Sequence, residues 1–91
     1  EATMKLEFKQ LANDKKRGWV HLQDGLKMKF AFLEWKDSCP EINHLKGEWV
    51  LRELSWLTQI NADSTMKTET AVTHDELRQL SEFMRFLPSP V

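Results

Sequence analysis

One cysteine, three glycines and three prolines in 91 residues leave this chain short of the usual covalent and conformational constraints. Cys39 alone cannot form an internal disulfide, whereas small secreted domains usually carry several. A reducing, cytoplasmic setting is therefore expected. No apolar run approaches the roughly 18 residues of a membrane span, and the first residues lack the apolar stretch of a secretory leader. No membrane partner is expected, and Glu1–Thr3 read as additions ahead of a start at Met4.

Chemical motifs are equally scarce. There is no Gly-rich phosphate loop. Cys39 and His44 are five apart and His21 and His74 are remote, so no metal-ligand spacing exists. His74, Asp75 and Glu76 are adjacent but splay apart at a helix start, where Glu76 already has a capping role. Neither a metal nor a cofactor is expected, and no set of side chains converges on acid–base or nucleophilic chemistry. An enzyme is not expected.

Strong net charge is missing too: the chain carries −1. The distribution is more informative, because residues 1–36 hold eight Lys/Arg against five acids and residues 37–91 hold five against nine. A basic first part joined to an acidic second part suits an interaction surface, or simply keeps two faces solvated.

With 41% hydrophobic and 30% charged residues the chain reads as globular, and its length allows one core, so residues 1–91 are taken as a single small domain with 88–91 as a tail. Met4–Lys9 alternates strictly, placing Met4, Leu6 and Phe8 on one face of a strand. Gly18–Gln23 and Leu26–Lys36 flank Asp24-Gly25, a strong hairpin signal. A two-residue turn would set Trp19 beside Phe30 and mix Lys27 and Lys29 with Val20 and Leu22. A three-residue bulged turn would pair Leu22 with Leu26 and Val20 with Met28, collecting Val20, Leu22, Leu26, Met28, Phe30 and Phe32 on one side. A one-residue slip inverts every side chain, so the cleaner face favours the bulged turn. Ala31, Leu33 and Trp35 make the far end of the second strand apolar on both faces, as in a central strand covered on both sides.

Ser38-Cys39-Pro40-Glu41 resembles a capping box, predicting a helix start. Glu48–Ile60 reads better as a helix than as a strand, with Trp49, Val50, Leu54, Trp56, Leu57 and Ile60 on a broad apolar face. Thr65–Val72 is Thr-rich and alternating, an edge strand that offers pairing to a second copy. Thr73 and Glu76 form a capping box ahead of Leu77, Leu80, Phe83, Met84 and Leu87 at helical spacing, and Pro88 ends the run. The predicted class is α+β: a small antiparallel sheet in the order β-β-β-(α)-β-α, with helices packed on it.

Four tryptophans are the most unusual compositional feature. Trp49 and Trp56 read as core and Trp35 as covered by a helix. Trp19 stands apart, because the bulged register puts it on the outer hairpin face beside Lys29, with His21 beside Lys27. Lys15, Lys16 and Arg17 lead into that face. The candidate binding set is thus Lys15, Lys16, Arg17, Trp19, His21, Lys27 and Lys29. Cations around an exposed indole suit a protein partner, with Trp19 as anchor. They also suit stacked bases and phosphates, or a solvated face with a simple cation–π contact. The reading is a non-enzymatic protein-interaction module, a small regulator, inhibitor or complex subunit. The alternative is nucleic-acid binding through the 18–36 hairpin.

Overall fold

The computed structural model describes residues 4–24, 27–37, 47–59 and 67–90. Among them are six strands and one helix: β1 Leu6–Leu11, β2 Asp14–Asp24, β3 Lys27–Asp37, β4 Gly47–Leu51, β5 Ser55–Gln59, β6 Lys67–Ala71 and α1 His74–Arg85. The sheet is antiparallel, ordered β1-β2-β3-β5-β6, and β4 also pairs with β3. The expected strand at 65–72 is an edge, as β6. The expected helix start at Ser38 lies outside the described residues, as do Gly25 and Leu26 of the hairpin turn.

Strand β3 is central: its apolar residues lie on both sides of the pleat, β2 pairs with it from Lys27 to Glu34, and along its other edge β5 pairs over Met28–Phe30 and β4 over Leu33–Asp37. Its register with β2 corrects the expected one. Val20 pairs with Ala31 and Leu22 with Lys29, not with Met28 and Leu26. Val20, Leu22, Ala31 and Leu33 therefore share the buried face, whereas Met28, Phe30 and Phe32 point to the opposite one. The local pattern misled because β3 offers two apolar faces of similar quality. Packing against β4 and α1 selects between them: Leu33 pairs with Leu51 and Trp35 with Trp49, under the apolar side of the helix.

The segment expected as a helix over 48–60 forms β4 and β5 instead. Both run beside β3, joined through Arg52, Glu53 and Leu54. Leu51 pairs with Leu33 and the Arg52 amide donates to the Phe32 carbonyl, 3.0 Å; pairing then resumes at Phe30 with Leu57. Three extra residues are thus bulged out on this side, an odd number that reverses the in–out alternation. Trp49 and Trp56, which a regular seven-residue separation would put on opposite faces, end up on the same one, 5% and 0% exposed. The same reversal makes the sequence pattern look helical. Gly47 opens β4 at φ +139°, where a Cβ would meet the Lys36 carbonyl oxygen at 2.5 Å and the Trp35 ring at 2.8 Å.

Helix α1 begins as its sequence signals. Thr73 Oγ1 accepts from the Glu76 amide (3.1 Å) and Glu76 Oε1 accepts from the Thr73 amide (2.9 Å). Leu80 is buried on the sheet, flanked by Phe83, Met84 and Leu87. Met4 follows the expected alternation with Leu6 and Phe8, and its amide donates to Gln79 of α1, 2.8 Å.

Gly18 has a packing role on this covered face. A Cβ there would lie 2.6 Å from Phe8 Cε1 and 2.7 Å from the Lys9 carbonyl oxygen. The space lets the Phe8 ring reach across the sheet to Trp49, at 4.8 Å between centroids. Trp49 meets Trp35 edge-on at 5.5 Å, and its indole nitrogen donates to the Pro88 carbonyl, 3.1 Å. Residue 88, expected in a tail, is thereby tied to the core.

Candidate functional site

Alternation from the observed register carries Trp19 and His21 to the face opposite α1. Two cross-strand rows run over that face. In one, Glu7, His21, Phe30, Leu57 and Glu69 follow one another across β1, β2, β3, β5 and β6. In the next, Lys9 pairs with Trp19 and Trp19 with Phe32, with Arg52 beyond. Trp19 packs edge-to-face on Phe32 at 4.7 Å and on Phe30 at 6.5 Å, and His21 on Phe30 at 5.0 Å. These rings are half-buried by one another rather than by a covering element among the described residues.

Trp19, Phe30, Phe32, Leu57, Arg52 and Glu53 line a shallow cleft of about 200 Å³ on this face. Pockets for small-molecule ligands run from about 300 to 1,000 Å³, so the cleft suits one inserted side chain better than a cofactor. A larger groove of about 590 Å³ lies between β4 and α1, lined by Trp35, Leu51, Leu54, Leu77, Met84 and Leu87. Leu54 at its edge is 61% exposed.

The charged residues of the candidate set divide. Lys29 lies on the helix-covered face, where its ammonium sits 3.8 Å from Glu76. Lys27 follows it by alternation, exposed, at the hairpin end. Lys16 points the same way and pairs with Asp37 at 3.4 Å. The expected pairs Trp19 with Lys29 and His21 with Lys27 do not form. Arg17 does share the open face with Trp19 and His21, and alternation along β2 places Lys15 on that side.

The residues that join Trp19 there are Phe30, Phe32, Leu57, Arg52 and Glu34, none of them in the sequence-derived set. Phe30 was within reach: the two-residue turn carries Trp19 to the same side as Phe30 and Phe32, and the actual register is that arrangement slid by two residues. Arg52 and Leu57 were not, because the 52–54 bulge decides where they point. Arg17 Nε lies 3.4 Å from Glu34 and 3.4 Å from Asp14, and Arg52 Nε lies 3.7 Å from Glu34. One carboxylate therefore serves two guanidiniums. Arg52 also sits over the Phe32 ring, 5.5 Å from its centroid. Ion pairs this exposed are worth roughly 0–1 kcal/mol each, so the fold gains little from them.

The covered face holds a different polar cluster. Glu76 Oε1, besides capping α1, accepts from the indole nitrogen of fully buried Trp56 at 3.1 Å. Burial pushes the Glu76 carboxyl up, but the hydrogen bonds from Thr73 and Trp56 and the charge of Lys29 outweigh it and hold the group below the ordinary value of 4.5. Asp75 is likewise lowered, chiefly by its hydrogen bond from Arg78. Each of these partners is structural, and no group of three or more His, Cys, Asp or Glu among the described residues could hold a metal ion. No helix among them is long and apolar enough to cross a membrane. Compared with protein-family models, curated proteins and solved structures, the chain matches none.

Proposed function

We propose that this chain is a non-enzymatic protein-interaction module, a small regulator, inhibitor or complex subunit, that binds through the open face of its sheet. The observation that carries the reading is the half-buried cluster of Trp19, Phe30 and Phe32 on the face without α1. Rigid aromatic side chains set in a shallow cleft are the usual anchors of protein interfaces, because they bury large areas and lose few rotamers. The cleft is too small for a typical cofactor, and the acids Glu7, Glu34, Glu53 and Glu69 are interleaved with the cations of the face. Such mixed charge favours a protein over nucleic acid, whose sequence-independent affinity rests on neutralising many phosphates. The separation of Lys27 and Lys29 from Trp19 weakens the nucleic-acid alternative further.

A photo-crosslinking residue at His21, used in the native host's extract, tests the reading. A discrete cross-linked protein that disappears when Trp19→Ala and Phe32→Ala are added is the expected result. No cross-linked protein, or the same one with and without the two substitutions, removes it. Titration with labelled single-stranded and duplex oligonucleotides at low salt decides the alternative: saturable binding lost with Arg17→Gln and Arg52→Gln would favour nucleic acid.

A further inference from the structure

We infer that the partner segment recognised by the open face is acidic, with one apolar side chain entering the Trp19–Phe32 cleft and flanking carboxylates engaging Arg17 and Arg52. This rests on the protein-interaction reading above and adds the chemistry of the partner.

The charge arrangement around the cleft carries it. Trp19 and Phe32 are bordered by Lys9 on β1, Arg17 on β2 and Arg52 in the bulge after β4. Glu34 divides its two oxygens between the guanidiniums, Oε2 to Arg17 and Oε1 to Arg52, and both contacts are made through Nε. The two arginine side chains remain 51% and 61% exposed. Guanidinium forks bind carboxylates bidentately and stack on aromatic rings, and Arg52 already lies over Phe32. Arg17 faces both Asp14 and Glu34 and Arg52 shares Glu34, all through Nε at 3.4–3.7 Å, so a carboxylate from outside would compete only with exposed contacts from which the fold gains little.

Glu53 borders the same cleft, and Glu7 and Glu69 stand at the outer strands. A long polyanion lying over the sheet would meet these carboxylates. A short acidic segment anchored between Arg17 and Arg52 would meet Glu34, Glu53 and, beside Arg17, Asp14. The cleft's size fits a single anchoring side chain between those charges.

The test is selection of a displayed library of random peptides on the intact chain, followed by affinity measurements with the enriched peptides. Enrichment of Asp and Glu around a Trp, Phe or Leu is expected, with affinity that falls as salt rises. Arg17→Gln with Arg52→Gln should weaken binding by about tenfold or more while leaving the melting temperature unchanged. Glu34→Gln should tighten it several-fold, because the competing internal carboxylate is gone; a merely structural role for Glu34 would predict weaker binding. Neutral or basic peptides that still need Trp19 would overturn the acidic partner and leave the interaction reading standing. Peptides whose binding ignores both Trp19→Ala and Phe32→Ala would overturn the two together. Displacement of the peptides by a single-stranded oligonucleotide, with loss of oligonucleotide binding in the double arginine variant, would replace the acidic protein segment with nucleic acid.

Discussion

Both faces of this sheet carry large apolar side chains, more of them on the face under α1, but use them differently. On the covered face, Trp49 and Trp56 are buried beneath α1 and each indole nitrogen has a fixed acceptor, the Pro88 carbonyl or Glu76. On the open face, Trp19, Phe30 and Phe32 stack edge-to-face on one another and stay partly in contact with water. Polar groups follow the same division. Glu76 caps a helix, accepts from a buried indole and pairs with Lys29, whereas Glu34 sits between two exposed arginines. Aromatic content by itself thus says little about function in a small domain; what distinguishes an anchor from a core residue is whether another element of the same chain lies over it.

The comparison fails most visibly if the covered face is not where stability resides. Trp56→Ala removes a fully buried indole and should cost about 3–5 kcal/mol, read as a shift of the denaturation midpoint or as failure to fold. Gly18→Ala forces Phe8 away from Trp49 and should cost roughly 1–3 kcal/mol. Double substitution with Phe8→Leu should then show non-additive coupling, since the two residues share one space; additive costs would remove the explanation.

Glu76→Ala leaves the Trp56 N–H without its acceptor and should cost about 1–3 kcal/mol. Glu76→Gln keeps the capping geometry and isolates the charge. A carboxyl held below its ordinary value stabilises the fold above that value and loses the contribution as pH falls through the lowered folded-state value. Wild-type stability should therefore fall as pH drops below about 4.5. The Gln variant should fall less steeply, with Asp75 contributing equally to both; parallel curves would deny Glu76 this role. Trp19→Ala should cost about 1–2 kcal/mol from its two ring contacts, well below Trp56→Ala, while abolishing binding through the open face. A stability cost equal to that of Trp56→Ala would make Trp19 a core residue and erase the distinction between the faces.

Much of the fold is legible locally. The Thr73–Glu76 capping box and the spacing of Leu77, Leu80, Phe83 and Met84 mark α1 without tertiary information, because those interactions lie within one or two helical turns. Strict alternation of Met4, Leu6 and Phe8 marks the inner face of β1, and the weak apolar character of Thr65–Val72 marks an edge. The candidate site was less legible. Arg17, Trp19 and His21 share one face by alternation along β2, whereas Lys27 and Lys29 join them only in a register that the structure does not adopt. The same register draws Phe30 and Phe32 into the core.

The sequence by itself determined the strongly local features: a hairpin joining β2 and β3, and the start and inner face of α1. Tertiary structure alone decided which side of β3 became core and where Arg52 and Leu57 point. The physical reason is parity. Side chains alternate with a period of two, so a slip of one residue or an odd bulge reverses a whole face. Where both faces of a strand are apolar, only packing against other elements, here Trp35 on Trp49 and Leu33 beneath α1, can choose between them.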